Sequence, residues 1–530
     1  MAANPTVTSE KLRPAFRLSL LQKLTPQLMA AFFGLWALRN VNGNSIADFD
    51  APRHALNGAF ILDMVRHAKF LHPVQYGYWY YSRLPAISLP YHPPLFPTFE
   101  ALVYAVFGVT AFSARLSVAI VTSIAVSLLF RLVRASHGSY LLAGLVTTSF
   151  FILPLVQTLS SMVMLELPAL VLVLASLRFL LPNDGTFDSR RFMYFAVFAA
   201  AAIWTKQCVF LFLLPPVYVV ICRRWRLLRN PFIWISWSSV GLSGAAMALL
   251  DRELQWNGVN QSWAKKTALQ HIAHNLWFYM QHRGFLGLLL IVFCLLTYRL
   301  PGGSQDWRKE EFYISWIASV MVMLLASPAY SGRYLFFAIP PFLVLLYDAL
   351  FRLGRLFCPL RAFIIPVAVC FCVVIYGLIQ VQGVYLRGPN EAASYLHGLG
   401  RKRVLFCGAT SNGSFIFAVR SHDPGLNTIV IRGDKLPADT FTPERLNQFI
   451  QRYGIDSVVL ERTGLPQPWD SLSAPILGFL GLERVLPMTD AEALRNGSLS
   501  IYRVLHPSMI PQTSLQVPIS VLGRDVELHF

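Results

Sequence analysis

The chain has 530 residues, 55% of them hydrophobic and only 14% charged, with a mean hydropathy of +0.50. Soluble chains carry about 25% charge, so a string of soluble domains, a disordered chain and a nucleic-acid-binding tail are all excluded. The net charge of +18 then reads as basic cytoplasmic loops rather than contact with nucleic acid. The composition is that of a polytopic α-helical membrane protein.

The basic leader at 1–23, with Lys11, Arg13, Arg17 and Lys23, is expected to stay in the cytoplasm. No small-residue cleavage site follows it, so the first apolar run is expected to be an uncleaved anchor. A span needs about 20 apolar residues, because backbone polar groups find no water in hydrocarbon. Eleven runs qualify, at 24–42, 113–132, 139–157, 162–181, 192–204, 207–222, 232–250, 284–299, 312–327, 333–351 and 361–381, within a transmembrane domain at 24–382. Two of these are short and share the turn Trp204-Thr205-Lys206-Gln207.

Alternation of sides puts Arg131/Arg134, Arg190/Arg191, Arg223/Arg224/Arg226/Arg229, Arg308/Lys309 and Arg352/Arg355 inside, as the positive-inside bias requires. The apolar run Leu95 to Gly108 would invert this pattern as a twelfth span. It is expected instead as an interfacial helix beginning at Pro93-Pro94. The outer face then receives a first loop at 43–112, with interfacial helices, a loop at 251–283, and a tail at 383–530 that reads as a small α/β domain, periplasmic if the membrane is a bacterial inner membrane. Helices are expected at Asn390–Leu399 and Pro443–Tyr453, and strands at Val404–Cys407, Thr428–Ile431, Ser457–Leu460 and Ser500–Val504. Val404-Leu-Phe-Cys-Gly408 followed by Asn412-Gly413 has the outline of a nucleotide-binding turn. It lacks G-x-G-x-x-G and is expected to be a structural turn. The seven cysteines form no disulfide framework.

Ionisable residues at membrane depth cost about 2.5–3.5 kcal/mol each on insertion scales, so each needs a reason. Glu166 is the only acid of the run 161–181, expected about five residues inside the outer boundary, where Pro168 can bend the helix open. Asp48 and Asp50 follow the first span directly and meet the same boundary. Two carboxylates on separate elements at one level suit a general base and its positioning partner. Lys206, Arg333-Tyr334 and His92 bring cations to that side, as a phosphate or pyrophosphate site requires. The aromatic run Tyr76-Gly-Tyr78-Trp79-Tyr80-Tyr81 suits either sugar stacking or an interfacial belt. His271 and His274 have no acid or cysteine beside them, so no metal site is expected. The sequons at Asn260, Asn412 and Asn496 are about as many as chance provides.

The order of these motifs resembles the GT-C glycosyltransferases, nearest the protein O-mannosyltransferase, aminoarabinose transferase and Rgt-type branch. The resemblance rests on Tyr91-His92-Pro93-Pro94-Leu95, Phe107-Gly108 running to Ala114-Arg115-Leu116, Met164-Leu165-Glu166-Leu167-Pro168, Thr205-Lys206 and Ser331-Gly-Arg333-Tyr334, over roughly residues 25–380. It implies inverting transfer of a sugar from a polyprenyl-phosphate donor to an acceptor on the outer or lumenal side, with a first-loop acid as base. Asp50-Ala51-Pro52-Arg53-His54 fits the family's Asp-Glu motif with Ala51 in place of Glu; Asp48 with Phe49 is the other candidate. His92 stands where relatives often carry Lys, and Glu166 where they usually carry Asp.

The chemistry of the residues agrees. A lipid phosphate leaves as a stable anion, so the site needs positive charge rather than a general acid, and Lys206, Arg333, His92 and His54 would bind phosphate or sugar with Tyr334. The acceptor hydroxyl, on a lipid, glycan or protein, needs a base; Asp50 is the candidate, with Glu166 orienting the acceptor or tuning the pKa of Asp50. No cofactor is called for. The rival reading is a transporter or lipid flippase with Glu166, Lys206 and Arg333 along its path, although no internal repeat is present.

Overall fold

A computed structural model describes residues 12–39, 45–46, 50–89, 91–181, 189–207, 212, 214–223, 225–250, 268–281, 287, 292, 307–326, 331–357, 361–380, 386–462, 467–471, 480–488, 497–507, 511–519 and 524–529. Asp48, nearly all of the expected span 284–299, most of the loop 251–283 and the sequons Asn260 and Asn496 lie outside the described residues.

Helix α1 (Leu12–Ala37) leads into the first loop, which folds as α2 (Ala51–Arg66), α3 (Pro73–Arg83) and α4 (Leu95–Phe107). Pro94 is the N-cap of α4 and Gly108, at φ +77°, ends it, so a helix is present where one was expected. Thr110 caps the next helix, α5 (Ala111–His137): its hydroxyl accepts from the Ser113 amide, and the Ser113 hydroxyl accepts in return from the Thr110 amide. Helix α5 packs against α1, α4 and α6 (Tyr140–Ile152), and against α8 (Glu166–Leu180).

Among the described residues three helices are long and apolar enough to cross a membrane: Ala111–His137, Pro231–Leu250 and Gly332–Phe357. A fourth span counts if α6 and α7 (Pro154–Ser161) are taken as one, bent by 69°. The expected run 139–157 is therefore broken. Pro154 forces Leu153 out of helical geometry, and Gln157 takes up the polar groups at the break. Its Nε2 donates to Ile152 O at 2.6 Å and Gly377 O at 3.0 Å, while its Oε1 accepts from Trp36 and Arg39. Gly377 is required there, because a Cβ would lie 2.1 Å from the Ile152 carbonyl oxygen.

The run 162–181 also differs from expectation. Met162–Leu165 is not helical and α8 starts at Glu166. Glu166 thus heads a helix instead of lying inside one, and Pro168 falls in the first turn, where no backbone bond is lost and no bend results. The run 207–222 is not one continuous helix: Leu214–Val217 passes into a π-turn at Tyr218–Arg223. The run 333–351 opens as a 3₁₀ turn, Gly332–Ala338, before the helix Ile339–Phe357.

The tail forms a sheet in the order β2-β1-β3-β5-β4, with β1 (Arg403–Cys407), β2 (Ile429–Arg432), β3 (Ser457–Arg462), β4 (Leu480–Met488) and β5 (Gly497–Val504). β1 runs parallel to β2 and β3; β5 is antiparallel to β3 and β4. Strand β4, the helix Asn412–His422 and the hairpin of β6 (Ser514–Ile519) and β7 (Arg524–His529) were not expected. Alternation along the strands divides the core. Val404, Phe406, Val459 and Ile501 join the membrane domain's cluster with Ala51 and Ala55, whereas Leu405, Cys407, Val458 and Tyr502 face a second cluster. One face of the sheet therefore shares its core with the first loop. A buried ion pair ties the same surfaces: Arg420 of Asn412–His422 donates from Nε to Asp63 Oδ2 at 2.7 Å, and Tyr80 donates to the same oxygen at 3.1 Å.

Gly377→Ala is expected to lower unfolding stability in detergent by about 1–3 kcal/mol, as overpacking does. Gly144→Ala, where a Cβ meets nothing within 4 Å, is the control. Equal thermal midpoints for the two variants would remove the close-approach argument.

Candidate active site

Asp50 is the N-cap of α2, yet its side chain makes no capping bond. An aspartate there ordinarily accepts from its own helix; this carboxylate instead accepts from Arg333 Nη2 at 2.9 Å. The segment before it is held in three ways. Arg115, 4% exposed, donates to Ser45 O at 3.0 Å, Ser45 Oγ accepts from the Asn390 amide at 2.9 Å, and Ser414 donates to Ile46 O at 2.5 Å. The Ala-Arg-Leu motif and the C-terminal domain together set where Asp50 stands.

Glu166 is fully buried. As the first residue of α8 it lies at the positive end of the helix dipole. Its Oε1 is 3.3 Å from Lys206 Nζ and 3.3 Å from Arg333 Nε, while Oε2 has no partner. Lys206 belongs to the turn after the helix Ser189–Ile203, where its amide donates to Ala202 O. That turn is stitched to the loop carrying His92: Leu95 N donates to Trp204 O at 3.0 Å, and Gln207 Nε2 donates to Tyr91 O. Tyr334 lies beneath both cations, its ring centroid 5.3 Å from Lys206 Nζ and 5.9 Å from Arg333 Cζ.

His54 and His92 meet edge to face, with ring centroids 4.4 Å apart. His54 is buried and its Nδ1 has no partner. Burial drives its pKa down to about 3, against the pull of Asp50 and helped by Lys206 and Arg333. His92 is pushed well below its ordinary value by burial and by His54. Both rings are therefore neutral at physiological pH. As neutral rings they can exchange hydrogen bonds but carry no charge, which differs from the expectation of His92 as a cation. Burial raises the Asp50 carboxyl, but the Arg333 hydrogen bond and the neighbouring positive charge outweigh it, and the net shift is downward.

Asp50, Glu166, Lys206, Tyr334, His54 and His92 thus gather about the Arg333 guanidinium. The aromatic run turns elsewhere: Tyr76 and Tyr80 pack on Phe60 in the core, and Tyr78 and Trp79 are exposed. The turn after β1 is filled by protein, since Glu461 accepts from the Thr410 amide at 3.1 Å and from its hydroxyl; the nucleotide outline is a structural turn. Sequence reasoning missed Asp63–Arg420 and the role of Arg115, whose partners are remote in the chain. Among the described residues no group of three or more His, Cys, Asp or Glu is placed to hold a metal ion.

Residues 91–249 match the family model described as dolichyl-phosphate-mannose-protein mannosyltransferase. The fold is similar to that of ArnT from Cupriavidus metallidurans bound to undecaprenyl phosphate, at 13% identity and a TM-score of 0.54, over 90% of this chain and 97% of that one. For the apo state of that protein the values are 12%, 0.55, 91% and 98%. Comparison with curated protein sequences finds no match.

The neutral histidines set a pH dependence. The unfolded chain takes up a proton at His54 below its ordinary value of 6.5, whereas the folded chain does so only near 3. Stability is therefore complete above the higher value and falls between the two as the pH drops, by at most ~1.4 kcal/mol per pH unit for this one group. Denaturation of His54→Gln in detergent should show a shallower slope over that interval. An unchanged slope would mean that His54 is already protonated in the folded protein.

Proposed function

We propose that the chain is a member of the GT-C superfamily of integral-membrane glycosyltransferases, a reading supported by the segment matched to a mannosyltransferase model and by the ArnT-like fold, and that it transfers a sugar from a polyprenyl-phosphate donor to an acceptor hydroxyl, with inversion, at the outer face of a bacterial inner membrane. The observation that carries this reading is the Arg333 guanidinium held between Asp50 and Glu166, with Lys206 on the same carboxylate. The ArnT relative, which holds undecaprenyl phosphate, supports a donor of that chemical class. A prenyl tail stays in the bilayer because each CH₂ drawn out loses ~0.8 kcal/mol, so the reacting atoms must be met at the membrane.

The resting ion pairs suit the reaction. Arg333 keeps Asp50 ionised but weakly basic, since a carboxylate already accepting from a guanidinium attracts a further proton poorly. A donor phosphate competes for Arg333 and Lys206 with two charge-assisted partners. As the guanidinium turns to the phosphate, Asp50 is released beside the acceptor hydroxyl and becomes a stronger base. The hydroxyl oxygen attacks the anomeric carbon, the bond to the lipid phosphate breaks, and the leaving phosphate stays against Lys206 and Arg333. Glu166, buried and fixed at a helix start, holds both cations in place. His54 and His92, as neutral groups, are suited to sugar hydroxyls. The sequence of steps draws on no metal.

Purified protein in proteoliposomes with a lipid-linked sugar donor tests the reading. Asp50→Asn should lower transfer by about 10²–10⁴ while still binding undecaprenyl phosphate; Lys206→Gln and Arg333→Gln should weaken that binding. Undiminished donor consumption in Asp50→Asn and Glu166→Gln alike would sink the enzyme reading, and loss of transmembrane movement of the intact lipid in those variants would point to a flippase.

A further inference from the structure

We propose that Asn275 and Tyr279 are positioning residues for Arg333, and that the helix Ala268–Tyr279 thereby sets how tightly a donor phosphate is held. The two residues are four apart and so lie on one face of that helix. Among its described residues they are the only two that are buried, at 0% and 5% exposed, while Ile272, Leu276 and Trp277 are exposed. A helix seated for stability alone typically buries an apolar stripe. Here the buried groups are an amide and a phenol, and burial of an amide is tolerated only where it is hydrogen-bonded.

Both side chains bond to the segment that carries Arg333. Asn275 Nδ2 donates to Leu324 O at 3.2 Å and to Leu325 O at 3.4 Å. These are two of the carbonyls that a helix leaves unpaired at its end, here the end of Trp307–Ala326. The Tyr279 hydroxyl accepts from the Ser331 amide at 3.3 Å. Ser331 in turn caps the 3₁₀ turn Gly332–Ala338: its Oγ accepts from the Arg333 amide at 3.4 Å, and its carbonyl from the Tyr334 amide at 3.0 Å. The helix Ala268–Tyr279 therefore holds the chain on both sides of residues 327–330. Burial pushes the Tyr279 phenol up to about 12 and the neighbouring Tyr334 adds to the shift, so the hydroxyl is neutral at physiological pH. At the other end of the same helix pair, Arg352 of Ile339–Phe357 is bonded to Glu310 of Trp307–Ala326. The two helices are thus fixed to each other far from the turn that joins them, and Asn275 and Tyr279 fix the turn itself. Its placement matters because Arg333 reaches Asp50 at 2.9 Å and Glu166 at 3.3 Å, and a guanidinium fork binds carboxylate or phosphate only in a narrow geometry.

The role rests on the reading of Arg333 as a ligand of the donor phosphate, but the test needs no turnover. Full-length protein in detergent is titrated with undecaprenyl phosphate by calorimetry. Tyr279→Phe, which removes one oxygen and keeps the ring, and Asn275→Ala should each bind about three- to tenfold more weakly than wild type. The stoichiometry should not change, since a merely unstable protein loses binding sites rather than affinity. In a Lys206→Gln background Tyr279→Phe should weaken binding by the same factor. In an Arg333→Gln background that factor should shrink to within about twofold, because the hydroxyl acts through the guanidinium. Wild-type affinity in both single variants, or a Tyr279→Phe factor equally large without Arg333, would overturn the positioning role and leave the transferase reading standing. Arg333→Gln binding as tightly as wild type would remove the phosphate role of Arg333 itself, and the positioning role with it.

Discussion

Everything near the reacting groups depends on how Arg333 is shared. One guanidinium reaches Asp50 through Nη2 and Glu166 through Nε, and Lys206 closes on the same Glu166 oxygen. A carboxylate with no exposed surface is costly to bury alone, and equal numbers of acids and bases make its burial tolerable. Four segments remote in sequence are thereby held in one place: the start of α2, the start of α8, the turn after Ser189–Ile203 and the turn before Ile339–Phe357. The arrangement is balanced at rest and can be rearranged by an incoming dianion, since charge-assisted bonds to phosphate replace those to carboxylate with little change in number.

The second constraint is the seating of the C-terminal domain. Its sheet does not hang from the membrane domain by a linker. Val404, Phe406 and Ile501 continue the core of the first loop, Arg420 buries its charge on Asp63, and Ser414 and Asn390 hold the residues just before Asp50. A buried pair of this kind is costly to break singly, so the position of α2, and with it Asp50 and Arg53, is fixed from both sides. The boundary expected at 382–383 separates chain segments more than it separates cores.

Helix starts and breaks follow local chemistry and were partly legible. Pro93-Pro94 before Leu95 and the Thr110/Ser113 capping pair are local signals, and the strands β1, β2, β3 and β5 fell within a few residues of their expected places. The break at Leu153-Pro154 had a signal that went unused, the proline itself. The non-helical Met162–Leu165 had none, because hydropathy reports the length of an apolar run and not whether its backbone is helical. Strand β4 and the hairpin β6–β7 are mixed in polarity, and what stabilises them is pairing with partners remote in sequence or across a turn.

The sequence by itself indicated a polytopic membrane protein whose motif order resembles the GT-C glycosyltransferases, with acids and bases where apolar runs end, and it pointed to seven described residues that the structure brings together, because stranded charge in an apolar chain is rare enough to be conspicuous. It also put Asp50, Glu166, Lys206 and Arg333 on the page without saying who touches whom. Tertiary structure decided that Arg333 is the common partner and that burial makes His54 and His92 neutral. Pairing and burial depend on distances between segments hundreds of residues apart, and no local pattern encodes a distance of that kind.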